Sequence, residues 1–155
     1  MSDAKSDTTD SMAAFRSYGP AAFAIFGSLA LVALRLSMGG ERFMTDGALM
    51  MLALASYLIA AVFYLTNLYA PFRFAEKLGM ITATLGVFFN LSSWLVRWVA
   101  AYDRELAIFN AQGLTAADMP WLFRYVPFAN LYDLSLAFAF GAGITTLLVM
   151  RRQHF

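Results

Sequence analysis

At positions 78–98 the sequence reads LGMITATLGVFFNLSSWLVRW, and the reading of this stretch decides the fold. No charge occurs between Leu78 and Val96. At 1.5 Å per residue, a helix over that run is about 28 Å long, close to the roughly 30 Å of hydrocarbon in a bilayer. Within it Thr82, Gly86, Asn90, Ser93 and Arg97 recur at steps of four, four, three and four, so a helix gathers them on one face. Such a stripe is poorly placed against lipid, because an unsatisfied amide in hydrocarbon costs several kcal/mol. It is expected to face protein, either the preceding span or a helix of a partner subunit.

Composition extends this reading to the whole chain. Of 155 residues, 61% are hydrophobic and only 14% charged, far more apolar surface than one soluble core of this size can hide. Uncharged runs cover residues 17–34, 47–72, 78–96 and 134–150. The predicted fold is an all-α integral membrane protein with four transmembrane helices, over about 18–38, 47–70, 76–101 and 131–151. The first run is apolar all round rather than on one stripe, which favours a span over a helix lying on the surface. Gly39-Gly40 ends the first span, Thr45 or Asp46 can cap the second, and a short turn at Pro71 leads into the third.

Residues 1–16 are polar, and Lys5 is the only base in 1–12, a poor secretory leader; a short mobile tail with no leader removed is expected there. With four spans, Lys5, Arg16, Arg73, Lys77, Arg151 and Arg152 share one side of the membrane. The other side holds Arg35, Arg42, Arg97, Arg104 and Arg124, outnumbered by its acids. The excess of basic residues puts both termini in the cytoplasm and residues 102–130 outside. That outer segment has helical spacing over 102–111 and a capping-box form at Thr115-Ala116-Ala117-Asp118. With the aromatic residues Trp121, Phe123, Tyr125 and Phe128, it reads as short interfacial helices lying on the membrane.

Three further features concern function. The fourth span opens with Pro127-Phe128-Ala129-Asn130-Leu131-Tyr132-Asp133, where Asn130 can cap the helix and Asp133 can reach back to the Asn130 amide. This is either a well-capped helix start or an element that positions a partner. Inside the same span, Ala137 with Gly141 and Ala139 with Gly143 form two small-residue pairs that allow close backbone approach. Arg97, flanked by Trp94 and Trp98, reads as an interfacial anchor or as the partner of Asp133 or Asp103.

A helix closing in Arg97-Trp98, a solvent-side segment, and then Pro127 with Asn130-Leu131-Tyr132-Asp133 resembles the N-terminal part of the system II cytochrome c synthase family (CcsA/ResC) of cytochrome c biogenesis. The resemblance covers roughly residues 57–149, and Asp133 stands where the family has Glu. It implies kinship with haem handling at the outer face of a bacterial cytoplasmic (inner) membrane, with residues 130–133 as an element that positions haem and Arg97 as a third possibility, a clamp for a propionate. In the family, a Trp-rich haem segment with flanking ligand histidines follows the part that this chain resembles; the sequence up to Phe155 has no counterpart of it.

The residues themselves limit the chemistry. The only histidine is His154 and there are no cysteines, so no span offers a histidine or thiolate ligand for haem and no Cys-x-x-Cys-His attachment site exists. No cofactor is expected to be bound by this chain alone; haem held by a partner is the open possibility. No basic patch interleaved with aromatics marks a nucleic-acid surface. No phosphate loop, nucleophile–base pair or paired carboxylates within a span is present, so the chain is not expected to be an enzyme. The expectation is a scaffold subunit among other membrane subunits of a hetero-oligomeric complex. The alternative is a split or shortened subunit of a haem-delivery assembly.

Overall fold

The computed structural model of the chain describes residues 3–114, 122–127 and 131–153. The expected helix start at Thr115, the aromatic side chains of Trp121, Phe123 and Phe128, the Asn130 cap and His154 lie outside what is described.

Among the described residues there are four α-helices: α1 (Asp3–Met38), α2 (Asp46–Tyr69), α3 (Arg73–Ala111) and α4 (Leu131–Gln153). All four are long and apolar enough to cross a membrane, over Tyr18–Met38, Asp46–Tyr69, Arg73–Ala111 and Leu131–Val149, so this is a multi-pass all-α membrane protein. Single 3-10 turns occupy Gly40–Arg42 and Leu122–Tyr125 in the connections.

The ends of these helices follow from local chemistry. Thr45 caps α2 by accepting from the Ala48 amide at 3.2 Å, the better of the two candidate caps. α2 stops at Tyr69 because Ala70 precedes Pro71 and is pushed out of the helical region. The Asn67 side chain then accepts from the Phe72 amide at 2.8 Å and closes the turn into α3.

Two expectations are corrected. Residues 3–16, expected as a short tail, are helical and continue into the first span: α1 starts at Asp3 and runs on through Pro20. Likewise α3 does not close at Arg97-Trp98, and 102–111 is not a separate interfacial helix. Its 39 residues form one continuous rod, about 58 Å long against some 30 Å of hydrocarbon, so it projects beyond the bilayer. No Gly or Pro occurs between Trp94 and Gln112 to stop it. The stop is Gly113, at φ +76, where its own amide donates to Asn110 O and the Leu114 amide donates to Phe109 O at 2.9 Å. This is a Schellman end, which needs a left-handed residue and therefore favours glycine.

α3 is the central element. Its spanning window is 44% buried against 17% for each of the others, and it packs on all three neighbours. The seam with α2 is built from two tiers seven residues apart on both helices: Tyr64 against Gly79, and Tyr57 against Gly86. A Cβ added at Gly86 would lie 2.6 Å from Tyr57 Cδ1, so only glycine admits the ring. Tyr57 also reaches α4, where its hydroxyl lies against Gly143, 2.8 Å from where a Cβ would stand. α1 packs through Gly27, which receives Phe88, and through Phe23, whose ring centroid is 5.6 Å from that of Phe88. Ala24, Ala60, Ala83, Val87 and Leu147 complete the core where these helices meet.

Candidate functional site

The stripe on α3 faces α2 of the same chain. Gly86, Asn90 and Ser93 are buried. Asn90 Nδ2 donates to the Tyr57 hydroxyl at 3.2 Å, and Ser93 Oγ donates to the backbone carbonyl of Asp46 at 2.8 Å. Thr82 instead turns its hydroxyl back to Leu78 O at 2.7 Å in its own helix, as Thr84 and Ser92 do to Met80 O and Phe88 O. Such back-bonding satisfies a hydroxyl in hydrocarbon without a neighbour. The stripe thus supplies two cross-links and one close approach.

The two small-residue pairs of α4 separate. Gly143 packs against Val87 and Tyr57, whereas a Cβ at Gly141 would meet nothing within 4 Å. The Ala137/Gly141 pair is therefore not a packing face within this chain. The helical offset between the two pairs decides this, because Tyr57 reaches only one side of α4.

The charged centre lies where the stripe leaves the span, at the end of the bundle opposite Pro71. Arg97 Nε donates to Asp133 of α4, and Arg97 Nη1 donates to Asp46 of α2 at 3.3 Å. Its guanidinium carbon stands 4.6 Å from the centroid of the Tyr132 ring, a cation–π contact. Asp133 is buried at 4% exposure. Both acids sit in the first turns of their helices, where the N-terminal dipole, equivalent to roughly half a positive charge, stabilises a carboxylate. One guanidinium and two helix N-termini therefore offset two carboxylates, and three helices are tied at one point.

Around this centre the aromatics of α3 hold the connecting segment. Trp94 Nε1 donates to Pro127 O at 3.2 Å, and Trp98 Nε1 donates to Leu122 O at 3.0 Å. One turn on, Tyr102 meets Tyr125 edge to face, with ring centroids 5.8 Å apart. Residues 94, 98 and 102 lie on one helical face, so the connection is pinned along α3 over two turns. Arg97, Trp98, Pro127, Tyr132 and Asp133 are thus gathered into one cluster, and Leu131 points away from it at 79% exposure. On the far side of α3, the buried Arg35 donates to Asp103 at 3.1 Å and ties α1 to the projecting part of the rod.

A cavity of about 340 Å³ opens beside this centre, lined by Arg97, Arg104, Arg124, Tyr125, Asp46 and Asp133 among others. Among the described residues, Arg104 and Arg124 make no ion pair. No group of three or more His, Cys, Asp or Glu among them is placed to hold a metal ion.

The chain matches no protein-family model, no curated protein and no solved structure. Its function is accordingly read from the geometry.

Several participants were not singled out from the sequence. Tyr57 and Tyr64 are seven apart on a span whose partner carries glycines seven apart, and that complementarity was available. From the sequence Asp46 offers a cap and Arg35 a charge at the end of the first span, because nothing local shows which distant helix end each meets.

Proposed function

We propose that this chain is a non-catalytic subunit of a bacterial cytoplasmic membrane, with both termini in the cytoplasm, that scaffolds a larger haem-containing membrane complex. The observation that carries the reading is the state of Arg97. A clamp for a propionate needs a guanidinium free to form two parallel bonds. Here the fork is held by Asp133 and Asp46 and stacked on Tyr132, so it braces three helices. The span polar groups Asn90 and Ser93 are likewise engaged inside the bundle. The exposed apolar faces of α1, α2 and α4, including Gly141, are left for lipid and for neighbouring subunits.

A second reading, a split or shortened subunit of a system II haem-delivery complex, is supported by the gathering of Arg97, Trp98, Pro127, Tyr132 and Asp133 in one cluster. Purification from native membranes in mild detergent separates the two. A stoichiometric oxidoreductase partner supports the scaffold; a partner carrying a Trp-rich segment with ligand histidines supports haem delivery. The isolated chain is expected to show no Soret band, and a stable one would overturn the scaffold reading. Cysteine placed at Gln112 should label from outside and at Ser6 from inside; the reverse pattern would refute the orientation.

A further inference from the structure

We infer that the cavity beside Arg97 is a binding site for a phosphate oxyanion, with the headgroup of an anionic phospholipid as the occupant its position favours. Three observations lead there, none of which depends on haem. First, the charges of the inner half of the cavity are balanced: Arg97, Asp46 and Asp133 are bonded to one another, and the two carboxylates sit on helix N-termini. Second, the two arginines that line the rest, Arg104 and Arg124, make no ion pair among the described residues. Glu105, next along α3, is not among the lining residues, and Asp103 is bonded to Arg35. Among the described residues the lining therefore holds three guanidiniums against two carboxylates, and the two outer guanidiniums have planar forks that match phosphate oxygens.

Third, the depth is that of a headgroup. The uncharged part of α3 ends at Val96. Arg104 lies seven residues beyond Arg97, about 10 Å along the axis, and a long side chain reaches back several ångströms toward the polar layer. Trp94, Trp98 and Tyr102 line one face of α3 over two turns there, with Tyr125 against Tyr102, as aromatic residues do at a membrane boundary. The Trp94 and Trp98 bonds to Pro127 O and Leu122 O hold the connecting segment that carries Arg124 against α3, so the two arginines belong to one formed wall.

The test uses the full chain in detergent, with any subunits that co-purify. Native mass spectrometry and thermal denaturation are run with phosphatidylglycerol, with phosphatidylcholine, and with inorganic phosphate. The wild type should retain phosphatidylglycerol and be stabilised by it over phosphatidylcholine, with the difference shrinking as salt is raised. Arg104→Gln and Arg124→Gln should each weaken that binding roughly fivefold, and together about 30-fold. Arg42→Gln, exposed at the same end but outside the cavity, should leave it unchanged. Arg104→Lys and Arg124→Lys, which keep the charge without the fork, should bind between wild type and the Gln variants. They also report on the site if the double Gln variant does not fold. An equal response to inorganic phosphate would assign the site to a soluble phosphate rather than a lipid headgroup, within the same chemistry. Equal retention of both lipids with no phosphate response, or Gln variants that bind like wild type, would overturn the proposal.

Discussion

The Tyr57 tier gives the most exacting test of how the bundle is held. Replacing Gly86 with Ala puts a methyl carbon 2.6 Å from Tyr57 Cδ1 and 2.7 Å from Cε1, against an ordinary contact of about 3.5 Å or more. The ring cannot simply withdraw. Its hydroxyl end is bonded to Asn90 at 3.2 Å and lies against Gly143, so a shift of nearly 1 Å must move α2 or α4. Such overpacking costs about 1–3 kcal/mol, offset by about 1 kcal/mol from better helix propensity, for a net loss of roughly 0–2 kcal/mol. Gly86→Leu adds three more carbons to a space that one cannot occupy, and about 3 kcal/mol or more is expected. Asn90→Leu at the same seam removes one interhelical bond, on the order of 0.5–2 kcal/mol, and also removes the buried Asn90 Oδ1, which has no partner. Its net cost should stay below about 1 kcal/mol. Equilibrium unfolding in mixed SDS–maltoside micelles measures all three. A double-mutant cycle with Tyr57→Leu should show a coupling of at least about 1 kcal/mol, the overpacking part of the Gly86→Ala change, because the clash is with the ring. If Gly86→Leu is as stable as Asn90→Leu, or if the cycle shows no coupling, the wedge does not organise the bundle.

Three other outcomes are expected. Asp133→Asn should destabilise by about 1–3 kcal/mol in the same assay, because it weakens the buried end of the Arg97 brace. Asp46→Asn should cost less than about 1 kcal/mol, since that pair is about 30% exposed on each side and longer at 3.3 Å; the opposite ranking would refute the account of the brace. Gly113→Ala forces a side chain into the left-handed region at about 1–2 kcal/mol. It should speed amide exchange in the last turn of α3 without touching the rest of the bundle, and unchanged exchange there would contradict the Schellman end.

The spans were legible because lipid makes a strong demand on sequence: an uncharged run near the membrane thickness has few other uses. What failed at residues 98–111 was the assumption that a helix ends where its apolar run ends. The membrane boundary limits hydrophobicity and does not limit the helix, which stops only where the backbone is given a reason. That reason is Gly113 with Leu114 behind it, readable in the sequence as Gln112-Gly113-Leu114. Likewise polarity, and no helix-breaking residue, is what sets residues 3–16 apart from the first span, and the helix runs through them.

The direction of the α3 stripe was legible and its partner was not. Periodicity says that Gly86, Asn90 and Ser93 share a face, but pairing requires a second surface. The second surface is an aromatic span with its own seven-residue repeat rather than a matching polar stripe. The Arg97 centre adds a different lesson. From sequence, an arginine at a membrane boundary offers three roles that differ only in what stands opposite, and the opposite residues come from positions 46 and 133, far apart in the chain. Once Asp46 and Asp133 are seen to engage that guanidinium, the unbalanced charge of this end passes to Arg104 and Arg124. The residue with the most suggestive sequence context is thus the brace, and the plainer arginines beyond it are the ones left to meet a ligand.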